Sequence, residues 1–327
     1  STLVGEPQSK FKMASKYNEA NDIYQADIRH PLQSIGSGQS TEIKTYLFAG
    51  AKEVNTIKAY QKEADFADFI DTVDWGWFFF LTKPIFSLLD YCNKLVGNMG
   101  WAIILLTLVV KTVLLPLAYK SYVSMSKLKQ LQPEMEKIKK RAGDDRMKLQ
   151  QEMMALYKKE KVNPAAGCLP ILLQIPIFFS LYKVLFVTIE VRHAPFIGWI
   201  TDLSAPDPSS ILNLFGLLPF SPPGPESFLV IFSIGVYPIL MGITMWLQQK
   251  LNPAPTDKTQ QMIFAWMPWI FMFLLGQFSS GLVIYWVANN IITFAQQYFI
   301  MASQGVKPDI FGNILSSFKK EGASKEN

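Results

Sequence analysis

The sequence predicts an all-α polytopic membrane protein with a small β-rich region at its amino-terminal end. Three observations carry this. Half of the 327 residues are hydrophobic and only 17% are charged, against about 25% charged in an ordinary soluble chain. Apolar residues gather into five segments near the roughly 20-residue length that a helical bilayer crossing needs. Between the first two of those segments, 120–163 holds 12 Lys/Arg against 6 Asp/Glu.

Residues 1–73 are polar, with strand-like alternation at "TEIKTYLFAG" that puts Ile43, Thr45 and Leu47 on one face. They read as part of an external β domain. "SIGSGQS" is a flexible turn, because no Gly-Lys-Ser/Thr follows to make it a phosphate loop. No signal peptide or membrane anchor precedes this polar opening, so the chain is expected to be a fragment or a trimmed product.

Residues 74–98 predict an amphipathic helix. Lys83, Ser87, Asp90 and Lys94 share one face, and Trp77, Phe78, Leu81, Ile85, Leu88 and Leu89 fill the other. Such a helix lies flat in the headgroup layer; packing on the external domain is the alternative.

The predicted spans are 99–119, 164–189, 227–248, 262–278 and 279–301. Residues 1–74 hold 8 Lys/Arg against 11 Asp/Glu, and 190–209 hold 1 against 3. Lys and Arg stay on the cytoplasmic side. That puts 1–73 and 190–226 outside, and 120–163, 249–261 and 302–327 inside.

The inside segment 120–163 predicts a helical hairpin. Its apolar stripe runs through Met125, Leu128, Leu131, Met135 and Ile138, then Leu149, Met153 and Leu156, with "AGDD" as the turn and Asp145 as a cap. The plainer reading is a basic loop that only fixes topology.

Within "ILLTLVVKTVLLPLA" (104–118) a single lysine interrupts the apolar run. A charge at the centre of a span costs about 2.5–3.5 kcal/mol on insertion scales. Entering from outside near Met99, Lys111 lies about 18 Å deep, roughly 12 Å from the inner edge, beyond the reach of snorkelling. Thr107 is four residues earlier on the same face. Asn289, Thr293, Gln296 and Gln297 form a polar stripe in the last span, with Asn290 beside it, and Gln174 and Ser180 lie in the second span. Amides of this kind glue helices together. They do not account for a cation with no Asp or Glu inside any span, which points to a hydrated cavity in the inner half of the membrane.

Chemistry is excluded by what is missing from the pattern. Cys92, in an apparent surface helix, and Cys168, at the start of a span, are not expected to pair, and His30 and His193 make no metal-ligand cluster. There is no nucleotide loop and no nucleophile elbow. The chain is therefore read as a non-enzyme without cofactor or metal.

Four stretches in order, the charged hairpin, "KVNPAAGCLPILLQIPIFFSLY" (161–182), "RHAPFIGWITDLSAPDP" (192–208) and "SSGLVIYWVANNIITFAQQ" (279–297), resemble the YidC/Oxa/Alb membrane protein insertases. The resemblance covers 74–301. It implies a five-helix insertase core with a cytoplasmic helical hairpin, following a remnant (1–73) of the periplasmic β-sandwich found in Gram-negative members. In those members an additional membrane helix precedes the sandwich, and this chain is expected to lack it.

The implied activity is insertion of nascent membrane proteins into the bacterial inner membrane through a cytoplasm-open hydrophilic groove. The resemblance implies as groove residues Lys111, where arginine is usual, Thr107, Tyr285 and Trp286, and the polar stripes read above add Gln174, Asn289, Asn290, Thr293 and Gln297 to the same groove. Lysine keeps the charge but loses the planar fork that binds a carboxylate bidentately.

Implied partners are nascent chains, the ribosome, the Sec translocon, the signal recognition particle receptor and the lipid bilayer, with no nucleic-acid chemistry. The tail 302–327 holds only 4 Lys/Arg against 3 Asp/Glu. Ribosome or targeting contact therefore falls to Lys137, Lys139, Lys140, Arg141 and Lys258. "NLFGLLPFSPPGPESF" (213–228) is an insertion relative to compact members, expected as an external loop. The rival class is an ion-coupled solute transporter using Lys111; it requires an internal repeat, and none is found.

Overall fold

Two antiparallel β-ribbons open the chain. Strand β1 (Thr2–Gly5) pairs with β4 (Thr45–Phe48), and β2 (Lys12–Asn18) pairs with β3 (Ile23–Arg29). The computed structural model describes residues 1–7, 9–143, 145–163, 169–224, 226–252 and 258–306. They fall into two compact units, Ser1–Gly76 with Val187–Glu190, and Trp77–Phe186 with the chain from Val191 onward.

In the first unit, helix α1 (Val54–Glu63) buries Val54 and Ile57, and Phe66, Phe69, Val73 and Trp75 complete the core. The alternation in β4 is present, but its core-facing side is not the Ile43/Thr45/Leu47 side, which is exposed. Tyr46 stacks edge-on against Phe66 at 5.1 Å and Phe48 against Phe69 at 5.7 Å.

In the second unit, α2 (Phe79–Val96) carries the expected polar face, with Lys94 Nζ 2.6 Å from Asp90. Its inner face is Ile85, Phe86, Leu89 and Cys92. Cys92 is thus buried rather than on a surface, while Trp77 stands 94% exposed.

The expected span 99–119 is not one helix. α3 (Met99–Val113) stops and α4 (Leu115–Gln130) departs at a 69° bend. Pro116 is the physical cause: it cannot donate to the carbonyl of Thr112, and its ring clashes there. Together α3 and α4 have the length and composition of a span; among the described residues no single helix does.

α5 (Gln132–Ala142) and α6 (Arg146–Lys159) form the hairpin, closed by Met135, Ile138, Met153 and Leu156. Asp145 accepts from the backbone N–H of Lys148 at 3.0 Å and caps α6. Met125 does not join this stripe; it packs with Tyr122 and Ile300.

Helices α7 (Leu169–Val187), α8 (Val236–Leu251), α9 (Lys258–Leu275) and α10 (Ser280–Ser303) complete the unit. Residues 164–168, including Cys168, lie outside the described residues. The expected span 227–248 is shortened, because Phe228–Phe232 form a 3-10 turn and the helix begins only after Gly235. Any Cβ at Gly235 would fall 2.5 Å from Asp207 Cγ.

That aspartate explains much of the 192–208 motif. Asp207 accepts from the Trp199 indole at 3.0 Å, from Ser209, and from the N–H of Tyr237 at 2.9 Å, tying the turn to the start of α8. Asp202 likewise accepts from the N–H groups of His193 (2.9 Å) and Ser204 (2.8 Å). "SSG" is explained too: Ser280 and Gly281 donate to the carbonyls of Ala205 and Leu203 at 2.7 and 2.9 Å. α10 runs through the middle of the unit, against α8, α3 and α4, and is buried from Ser280 to Met301 on its inner faces.

Candidate functional site

Lys111 occupies the last turn of α3, just before the bend. Its depth therefore cannot be counted along one straight helix. The break places the ammonium at a helix carboxyl end, where unpaired carbonyls favour a cation.

Lys111 Nζ donates to Gln174 Oε1 at 3.1 Å, and Gln174 Nε2 in turn donates to the Tyr285 hydroxyl. The three come from α3, α7 and α10. Gln296 Nε2 donates to the backbone carbonyl of Lys111 at 3.4 Å. Among the described residues, no carboxylate forms an ion pair with Lys111.

Two crevices flank this chain of hydrogen bonds. The first is lined by Thr107, Lys111, Gln174, Tyr285 and Asn289, and its cavity is about 10 Å³. The second is lined by Lys111, Gln174, Gln296 and Tyr122, at about 30 Å³. A water needs roughly 10–15 Å³ of such space, so the first has room for at most one water and the second for about two, not for a wide pool.

Five of the nine expected groove residues thus share one crevice: Thr107, Lys111, Gln174, Tyr285 and Asn289. Thr107 is buried and donates back to the carbonyl of Ile103 at 2.7 Å. The other four diverge. Asn290 donates to Thr244 at 3.2 Å and Gln297 to Asn252 at 2.9 Å, both on the α8 side. Trp286 packs against Phe178 at 4.9 Å and Phe271 at 5.9 Å.

The buried Thr293 hydroxyl and Asn289 Oδ1 have no hydrogen-bond partner among the described residues. Helical rotation explains the split, since neighbouring positions point about 100° apart. Asn289 and Gln296, seven apart, face Lys111; Asn290 and Gln297, also seven apart, face α8. Gln296 and Tyr122 are site residues that the groove assignment omitted; the i, i+7 spacing from Asn289 was the available signal for Gln296.

On the hairpin, Lys137, Lys140 and Arg141 are exposed and Lys139 is half-buried. Arg141 bonds Glu152, through Nε at 3.1 Å and also through its terminal nitrogen. The side chain of Lys258 lies outside the described residues.

The family model of the 60Kd inner membrane protein matches residues 91–307, and that of the YidC periplasmic domain matches 1–88. A membrane protein insertase YidC of Dinoroseobacter shibae is 65% identical over 325 residues, covering 99% of this chain and 54% of that protein. One of Roseobacter denitrificans is 67% identical over 322 residues, covering 98% and 53%. The chain thus spans about half the length of the curated relatives it matches. A crystal structure of an active YidC insertase, with its first transmembrane domain resolved, shares the fold at TM-score 0.53 and 23% identity, over 91% of this chain and 68% of that one.

Proposed function

Since the chain belongs to the 60Kd inner membrane protein family, that of the YidC/Oxa/Alb insertases, we propose that it inserts nascent membrane proteins into the bacterial inner membrane. On this reading 1–73 is periplasmic, α2 lies in the outer interface, and the bent α3–α4 pair with α7, α8, α9 and α10 makes five crossings. The hairpin, the 249–261 loop and the tail are cytoplasmic.

The observation that carries the reading is Lys111: a half-buried cation at a helix bend, held by the Gln174 amide, itself tied to the Tyr285 phenol, instead of by an acid. Polar backbone entering a bilayer costs several kcal/mol per unsatisfied group. Lys111, Gln174, Tyr285, Asn289 and Gln296 offer replacement partners to a short polar or acidic segment arriving from the cytoplasm. An unpaired ammonium is free to bind a carboxylate transiently, where a salt-bridged one is not.

The substrate's apolar span meanwhile slides along α7 and α9, whose outer faces expose Leu172, Ile175, Phe179, Trp266 and Ile270. Transfer to lipid at about 25 cal/mol per Å² drives release, and the membrane potential draws acidic segments outward. Lys137, Lys139, Lys140, Arg141 and Lys258 are the proposed contacts for a ribosome or targeting factor. No observation favours the solute-transport alternative.

Reconstitution into protein-free liposomes tests this, with a small substrate whose translocated tail is acidic. Lys111→Glu is expected to lower insertion at least about tenfold, or ~1.4 kcal/mol. Insertion equal to the parent chain's refutes the role given to the cation.

A further inference from the structure

Between the 192–208 turn and α8 the chain has its polarity inverted. Large apolar side chains point outward: Ile211, Leu214, Leu217, Phe220, Phe228 and Phe232 are exposed, Leu217 at 84% and Phe228 at 76%. Small polar side chains point inward and serve the backbone. Buried Asn213 donates to the carbonyl of Phe220 at 3.3 Å and accepts from the N–H of Gly216 at 3.1 Å. Buried Ser210 accepts from the N–H of Leu212 at 3.2 Å and from the Ser233 hydroxyl at 2.8 Å.

Backbone bonds close the same knot, from Phe215 N to Ser210 O at 2.7 Å and from Ile211 N to Ile234 O at 2.9 Å. Leu214 and Phe215 hold positive φ of 50° and 58°, a strain that persists only where surrounding bonds over-determine the chain. Glu226 is the sole charged residue from 208 to 249.

Water disfavours such a surface, since contiguous exposed apolar patches on soluble faces are rare. Lipid requires it: backbone groups satisfied internally and hydrocarbon outside. A protein partner would meet a polar rim, yet 214–220 reads "LFGLLPF" with no polar side chain. The patch also continues a neighbouring surface. The Phe232 ring lies 6.4 Å from that of Phe273 on α9, and Gln277 donates to the carbonyl of Val230 at 3.0 Å. Phe273 shares its exposed apolar side with Ile270 and Leu274.

We propose that residues 211–220 and 228–232 form a lobe embedded in the acyl region of the outer leaflet, its occupant being lipid and not a protein. This inference rests on the reading of α9 as a bilayer-crossing helix. It assigns a membrane contact to the insertion, which the sequence marks only as an external loop.

Site-directed spin labelling of the full chain in phosphatidylcholine–phosphatidylglycerol vesicles tests it. Cys92→Ala and Cys168→Ala clear the background, and labels are placed by Leu217→Cys and Phe228→Cys. Ile270→Cys and Glu19→Cys are the references for lipid and for water. Labels at 217 and 228 that collide more with oxygen than with an aqueous nickel chelate, as at 270, support the lobe. Labels that collide more with nickel, as at 19, overturn it, and labels shielded from both overturn it in favour of a protein occupant. Nickel access at 270 itself instead removes the spanning reading of α9, and the lobe with it.

Discussion

The α5–α6 hairpin and the junction of α3, α7 and α10 both present lysine on a helix, under opposite conditions. On the hairpin, Lys137, Lys140 and Arg141 stand in the open, and the helices hold together through Met135, Ile138, Met153 and Leu156. Charge there is cheap and contributes little to folding. At the junction, Lys111 is half-buried and its partners are neutral, Gln174 and, through it, Tyr285. Charge there is costly, and each hydrogen bond to it counts for more. The same residue type thus leaves the fold almost untouched in one place and is a stored polar demand in the other.

The largest expected effect falls on the hairpin's apolar stripe. Met153→Ala removes a buried side chain from a cluster of four and should cost about 2–5 kcal/mol locally. Amide hydrogen exchange is the readout. Protection should fall across α5 and α6 while α10 keeps its own; loss of protection in both would mean that the hairpin is not an independent unit of stability.

Next comes Gln174→Leu, which takes the acceptor from Lys111 and the donor from Tyr285 together. Bonds to charged groups are worth about 1.5–3 kcal/mol, so thermal unfolding in detergent should register a loss of that order. Gln174→Glu separates stability from function. It supplies Lys111 with a fixed counter-charge, so unfolding should stay near the parent value while insertion of acidic-tailed substrates falls. Full activity in Gln174→Glu would mean that an unpaired cation is not required.

How far the sequence discloses these two regions follows from what each depends on. Lys111 is legible because a single charge breaks a long apolar run, and the hairpin stripe because its period matches 3.6. Pro116 was legible as a breaker, yet apolar continuity through 119 outweighs it when a span is judged by hydropathy alone. The division of the α10 amides is a matter of neighbours: Asn289 and Asn290 differ by a rotation whose meaning depends on where α8 and α3 sit. Apolar 227–235 reads as part of a span because hydropathy cannot tell a helix from a 3-10 turn. The inner face of β4 required knowing where Phe66 and Phe69 lie.

A smaller effect tests the hairpin's local design. Asp145→Ala removes the acceptor for the Lys148 N–H and should cost about 1 kcal/mol. Exchange at the first amides of α6 should rise while the Met135–Met153 contact region changes little. Asp145→Asn, which retains a capping oxygen, should recover most of the loss.

The smallest effect is expected at Arg141→Ala, and it closes the comparison. The Arg141–Glu152 pair puts two guanidinium donors on one carboxylate oxygen, but the arginine side chain is 66% exposed and the glutamate 25%. Exposed pairs contribute between nothing and about 1 kcal/mol, less as salt screens them beyond a Debye length of roughly 8–10 Å. Hairpin stability should therefore shift by less than that, and the shift should vanish at high salt. The Gln174→Leu loss should persist at the same salt, because the Lys111 ammonium is withdrawn from the ions that do the screening. Equal salt sensitivity at the two positions would mean that the surroundings of Arg141 and of Lys111 are both wet, and that the distinction between them is one of sequence context alone.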